Sequence, residues 1–450
     1  MERCEFIRRL FDRTRELDPD ARCEVVWSAS SNFEAQQVQG ERVDYSVADS
    51  GGLGFRVLTK GHMGYASTQI LDEEAVELLA CGAVENAALV ESEDRQFIYS
   101  GSMSYPKLNT WNPALEEVTA ARKLEMAAEL EKLTLAQDAR IDQAMVTIFS
   151  ANDESGMVNT EGLDVSMRRN VLGGYVEAVA RDGEKVNTGF KLFFTLNPDE
   201  IDLKKVAAEA AREALSGLDA AQPDSGEYRV LLRNDAAATL LATFSGVFSA
   251  DNAQRGLSRL KGMEGESIAA PCVTLMDDPH RAGSPASAPF DGEGVVTRVK
   301  AVVEEGRLNT LLHNLKTAFK QGVETTANAS RPGYASPVGV APTNFYFKPS
   351  DTGFEAMLEK LGDGLLITEL QGLHAGANPI TGDFSLSAKG FAVRGGRICE
   401  AVAQFTVAAN FYDLLKNVEA VGADLDFRAP GGSCFGSPSV LVHSMSVAGK

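Results

Sequence analysis

The sequence predicts an α+β fold, in which N-terminal sheet-and-helix units of α/β type precede a largely antiparallel, β-rich C-terminal domain. Three observations carry this. The alternating apolar residues Val43, Tyr45 and Val47 give way to an acidic, Ala- and Leu-rich helical stretch from Asp72. The same mixture of strand and helix signals recurs up to a Gly- and Pro-containing stretch at 217–226. Beyond it, hairpin signals centred on Glu305-Gly306 and Gly395-Gly396 dominate, and helices are few.

In order, a charged amphipathic start leads into a strand meander at 41–48, 54–59 and 63–68, with Gly51-Gly52 and Lys60-Gly61 as punctuation. A helix follows from Asp72 to about Val90, which makes residues 1–105 an N-terminal α+β domain. After the polar loop 100–111, Asn112 caps a helix with Pro113 in its first position, and Leu115, Val118, Ala121, Leu124 and Ala128 follow at helical spacing. Strands then occupy 141–195, with expected breaks at Asn152-Asp153, at 159–162 and at Asp182-Gly183. Asn197 and Glu200 have capping-box spacing at the head of a helix striped by Leu203, Val206, Ala207, Ala210 and Ala214. That closes a central α+β domain, 106–225. In the C-terminal domain, 226–450, hairpins are expected at 299–304 with 307–313 and at 390–394 with 397–407. Helices are expected from Asn234, at 352–361 and at 411–421, and the irregular stretch 322–343 has the length of a functional loop. No internal repeat is visible.

At 450 residues the chain is long for one domain, and 44% hydrophobic with 24% charged residues is an ordinary globular composition. Lys plus Arg number 43 against 63 Asp plus Glu, a net charge of −20, which repels a phosphate backbone and disfavours direct nucleic-acid binding. The first ten residues mix charges among the apolar ones and form no signal-peptide core, and no run has transmembrane length. A cytoplasmic protein with no membrane partner is expected. The six cysteines, at 4, 23, 81, 272, 399 and 434, have no paired spacing and read as reduced thiols.

Gly51-Gly-Leu-Gly54 has the look of a phosphate loop, but a strand follows it instead of a helix and no Gly-Lys-Ser/Thr is present, so a hairpin turn is the better reading. Ser433 lacks the spacing of a nucleophile elbow. The five histidines, 62, 280, 313, 374 and 443, form no local ligand pair. Asp291 with Glu293, and Asp383 beside Gly382, can act as carboxylates for acid and base work; turn-stabilising side chains that accept local backbone N–H groups are the reading favoured for them.

A series of phrases in fixed order then matters: Phe290-Asp-Gly-Glu-Gly294, Leu311-Leu-His-Asn314, Pro342-Thr-Asn-Phe-Tyr346, Gly364-Leu-Leu-Ile-Thr-Glu369, Thr381-Gly-Asp-Phe-Ser385 and Val447-Ala-Gly-Lys450. Upstream stand Leu53-Gly-Phe55, Tyr65-Ala-Ser-Thr68 and Asn159-Thr-Glu-Gly162. Together they resemble the TldD/PmbA family, in particular its PmbA (TldE) branch, over nearly the whole chain. The resemblance implies a two-subunit peptidase acting on unfolded peptides. Metal-bearing members carry His-Glu-x-x-x-His on a helix after a strand, where two imidazoles share a zinc and the Glu takes a proton from its water. The matching positions here are Ala242, Thr243 and Val247, and the window 235–255 contains neither His nor Glu. Family members also place a ligand cysteine near Cys434, which stands here without the histidines. The resemblance thus implies a subunit with no catalytic residue and no metal of its own, working in a homo- or heterodimer with a zinc-bearing TldD-like subunit that carries His-Glu-x-x-x-His. His313 and His374 fall within family phrases and join Asp291, Glu293 and Asp383 as peptide-site or structural residues. A stand-alone homodimeric regulator, of the kind the family's gyrase-modulator label describes, is the alternative.

Overall fold

The structure is a computed structural model describing residues 1–92, 94–428 and 432–450. The amphipathic start folds as α1 (Arg3–Leu17), which buries Phe6, Ile7 and Leu10. Three strands follow, β1 (Arg22–Val38), β2 (Glu41–Thr59) and β3 (His62–Thr68), and then α2 (Glu73–Ala88). Asp72 fixes the start of α2 by accepting from the Ala75 N–H at 2.8 Å. Helix, three strands, helix then comes again. Short α3 (Pro113–Glu116) leads to α4 (Ala120–Leu135), β4 (Ile141–Asn159), β5 (Asp164–Asp182), β6 (Lys185–Thr195), a 3-10 turn (Pro198–Glu200) and α5 (Leu203–Ser216).

All six strands form one antiparallel sheet in the order β3-β2-β1-β4-β5-β6, so that β1 and β4 pair at its centre. Strands from both sides of residue 105 therefore share a sheet. Phe6, Leu10, Val25, Phe55 and Leu79 fill the core under α1 and α2, while Leu130, Ile148, Leu172, Val176 and Val206 fill the one under α4 and α5. Each such burial contributes about 1.5–3 kcal/mol. These clusters, more than helix propensity, hold the helices on the sheet.

The rest of the chain runs β7 (Gly226–Leu232), α6 (Asn234–Phe244), a 3-10 turn (Ser245–Phe248), α7 (Ala250–Gln254), β8 (Leu275–Asp277), β9 (Lys300–Glu304), β10 (Arg307–Leu308) and α8 (Leu315–Gln321). Next come β11 (Ala329–Ser330), β12 (Gly339–Val340), β13 (Asn344–Phe347), α9 (Phe354–Leu361), β14 (Gly364–Gln371), α10 (Leu373–Gly376), β15 (Asp383–Arg394), β16 (Arg397–Asn410) and α11 (Phe411–Lys416). The chain ends with β17 (Val418–Val421), β18 (Asp426–Arg428), β19 (Cys434–Ser437) and β20 (Val440–Ala448). Two six-stranded sheets result, β10-β9-β8-β13-β19-β18 and β16-β15-β14-β7-β20-β17, and β16 also pairs with β20, closing the second sheet on itself. Among the named strand pairs here only β7–β14 and β13–β19 are parallel, so this part is largely antiparallel as expected. Helix α6 lies in its core, where Phe244 stacks on Phe411 at 4.7 Å.

Several expectations need correction. Residues 41–48 and 54–59 belong to the single strand β2, with Gly51-Gly-Leu-Gly54 in its interior and no turn there; glycines inside a strand mark a close backbone approach. Strand β1 was not foreseen. No break occurs at Asn152-Asp153, because the Asp153 carboxylate is satisfied across the sheet by the Ser30 hydroxyl at 2.6 Å. The repeat absent from the sequence is present in topology, since burial requires apolar residues of the right parity and not identical ones. The helix expected from Asn197 is split: Asp202, accepting from the Lys205 N–H, is the cap of α5. The expected strand 307–313 stops at Leu308, and the expected helix 411–421 stops at Lys416, where β17 takes over. Helix α8, with a capping box formed by Asn314 and Thr317, was missed.

Candidate functional site

The helix where the family resemblance places the metal chemistry is α6, packed against β18 and β19. Ala242 and Thr243 sit in its last turn and Val247 in the 3-10 turn beyond. The Thr243 hydroxyl donates to the Thr239 carbonyl at 2.9 Å, and Val247 is buried in the core. Ala242 and Val247 have no donor atom, and the neutral Thr243 hydroxyl, engaged with the Thr239 carbonyl, is not among the Cys, His and carboxylate groups that bind zinc, so these side chains do not fit a zinc ion. Cys434 is buried on β19. Gly431 of its phrase lies outside the described residues. Among the described residues, no three His, Cys, Asp or Glu side chains are grouped to hold one metal ion.

Asp291 and Glu293 come together with side chains from the N-terminal sheet. Glu24 of β1 is fully buried and accepts from Arg56 Nε of β2 at 2.7 Å, Arg331 Nη2 at 2.9 Å and Asn159 Nδ2 at 3.2 Å. Asp291 accepts backbone N–H groups from Glu293 (2.9 Å), Val295 (3.0 Å) and Ala329 (3.0 Å). Glu293 accepts the Leu315 N–H at 2.8 Å. Burial, and then the neighbouring Glu293 charge, pushes Asp291 up to about 7 against the pull of those three N–H groups. Burial likewise raises Glu293, opposed by the Arg56 charge. Burial would raise Glu24 too, but the Arg56 and Arg331 guanidiniums outweigh it and hold that carboxyl below its usual range. Arg331 is lowered to about 10, first by burial and then by the Arg56 charge. Arg56 Nη2 and Arg331 Nε have no hydrogen-bond partner among the described residues. Enclosed in this way, the carboxylates present no base to solvent. They join the N-terminal sheet to the C-terminal layers.

The long loop explains the glycines of β2. A Cβ on Gly54 would lie 1.8 Å from the Tyr334 carbonyl oxygen, and one on Gly52 would lie 2.3 Å from the Tyr334 ring. The segment Arg331-Pro-Gly-Tyr334 therefore lies directly on the backbone of β2, with the Tyr334 hydroxyl accepting from Gln69 Nε2 at 3.0 Å. Nearby, the Tyr105 hydroxyl donates to the Gly294 carbonyl at 2.7 Å and its ring meets Phe290 edge-on. Loop 322–343 and the Phe290–Gly294 phrase are thus two halves of one clasp.

The remaining sequence-predicted residues are not gathered into this cluster. His313 is buried just before α8, with Nδ1 3.3 Å from the Thr317 hydroxyl, and burial lowers its pKa, favouring the neutral ring. His374 is exposed on α10. Asp383 is exposed at the start of β15, where Asn410 Nδ2 donates to it at 2.8 Å and, with Thr381, holds it below the usual range.

A feature that sequence reasoning missed is a groove of about 470 Å³ between β6 and β18. Its walls include Leu192, Phe194, Arg281, Lys205, Asp426 and Phe427. Both strands end their sheets, and the guanidinium of Arg281 lies 3.9 Å from the centre of the Phe427 ring. No local sequence signal announces such a groove, because its two walls are more than 200 residues apart in the chain.

Fold and core together define a class, the PmbA/TldA metallopeptidases. Models of that family match in order: domain 1 over residues 23–87, the central domain over 113–218 and the C-terminal domain over 225–449. The chain belongs to this PmbA/TldD family. It is 28% identical over 447 residues to the metalloprotease PmbA homologue of Haemophilus influenzae, covering 96% of this chain and 93% of that one. A candidate modulator of a DNA gyrase from Thermotoga maritima superposes with a TM-score of 0.91 at 32% identity, over 99% of each chain. TldE from Thermococcus kodakarensis has the same fold, with a TM-score of 0.88 at 22% identity over 99% of this chain and 100% of that one. Among the described residues no helix is long and apolar enough to cross a membrane.

Proposed function

We propose that this chain is the non-metal subunit of a cytoplasmic TldD/TldE-type peptidase complex, helping to bind and position unfolded peptides for cleavage by a zinc-bearing partner with the His-Glu-x-x-x-His helix. One observation carries the reading: the family scaffold is present from end to end, while Ala242, Thr243 and Val247 occupy α6 and the turn after it, where ligands and base are expected. The zinc and the general base then belong to the partner, and this chain completes the peptide-holding surface. The test is reconstitution. Alone, the chain leaves peptides intact; mixed with its metal-bearing homologue it is required for cleavage of unfolded peptides and not of folded proteins. Chelator-resistant cleavage by the chain alone, or full activity of the partner without it, overturns the reading.

The likeness to the Thermotoga maritima protein, described as a candidate modulator of a DNA gyrase, supports a second reading in which this chain is a regulator; for that reading we propose a stand-alone homodimer without proteolytic activity. With a net charge of −20 such a regulator acts through proteins and not through DNA. A chain that self-associates but neither binds nor activates a metal-bearing homologue supports it.

A further inference from the structure

We draw no further inference here: the strongest candidate, the outer edge of β2 from Glu41 to Gly52, where β3 does not reach and Val43, Tyr45 and Val47 are exposed, carries nothing because its mixed charges select no partner and nothing in the structure shows what covers it.

Discussion

The guanidinium of Arg331 donates to the carboxylate of Glu24 at 2.9 Å across 307 positions of sequence, with both side chains buried. One comes from the long C-terminal loop and the other from the first strand of the N-terminal sheet. Arg56, donating to the same carboxylate oxygen, completes a charge cluster that neither layer contains by itself.

Removing one member of that cluster leaves a buried charge short of compensation. Arg331→Met is expected to destabilise the chain by about 2–4 kcal/mol in denaturant unfolding, less than the loss of a sole partner because Arg56 remains. A double-mutant cycle with Glu24→Gln should give a coupling energy above about 1 kcal/mol. Additivity of the two single changes would show that the contact carries no stabilisation.

The cluster also predicts a pH dependence. An unfolded aspartate titrates near 4, whereas burial pushes folded Asp291 up to about 7. Between those values the folded chain keeps a proton that the unfolded chain has lost, so this contribution is complete below about pH 4 and is lost as pH rises through about 7. Glu24 acts in the opposite sense, because its lowered pKa stabilises the fold above its unfolded value and is lost as pH falls. The stability difference between wild type and Asp291→Asn isolates the first contribution and should fall as pH rises across that window. A difference that is flat with pH would refute the protonated state of Asp291.

Crowding at β2 gives a local prediction. A Cβ at Gly54 meets the Tyr334 carbonyl, so Gly54→Ala must push the loop off the strand, at a cost of about 1–3 kcal/mol. Limited proteolysis should cut near Tyr334 faster in that variant. Gly82→Ala, in α2 with nothing within 4 Å of the new methyl, is the control and should be neutral or stabilising by up to about 1 kcal/mol.

Metal content is the most direct check on the subunit reading. After dialysis against a weak chelator, elemental analysis of the purified chain is expected to find no stoichiometric zinc, because Ala242, Thr243 and Val247 supply neither ligand nor base. One tightly held zinc per chain would overturn it.

The sequence by itself determined those properties that depend on near neighbours. Helix α2 begins where Asp72 caps it, and α3 where Asn112 accepts the Ala114 N–H with Pro113 behind it, although the single helix expected from there to Ala128 ends at Glu116 and restarts as α4, capped by Thr119. The turn expected at Asp182-Gly183 falls one residue later, at Gly183-Glu184, and the one at Gly395-Gly396 falls where expected, each between two paired strands. Tertiary structure decided the rest. Gly51-Gly-Leu-Gly54 reads locally as a turn, and only the loop carrying Tyr334, lying across β2, shows why side chains are excluded at Gly52 and Gly54. Asp291 and Glu293 read as turn residues beside glycines, and Asp291 does accept its neighbours' N–H groups; their raised pKa values come first from burial, which the packing of distant elements creates, with the Glu293 charge adding to the rise at Asp291 and the Arg56 charge opposing it at Glu293. The groove between β6 and β18 has no sequence signature at all. A sheet edge is defined by the strand that fails to pair with it, and burial and charge compensation are sums over neighbours in space, which the order of residues along the chain does not list.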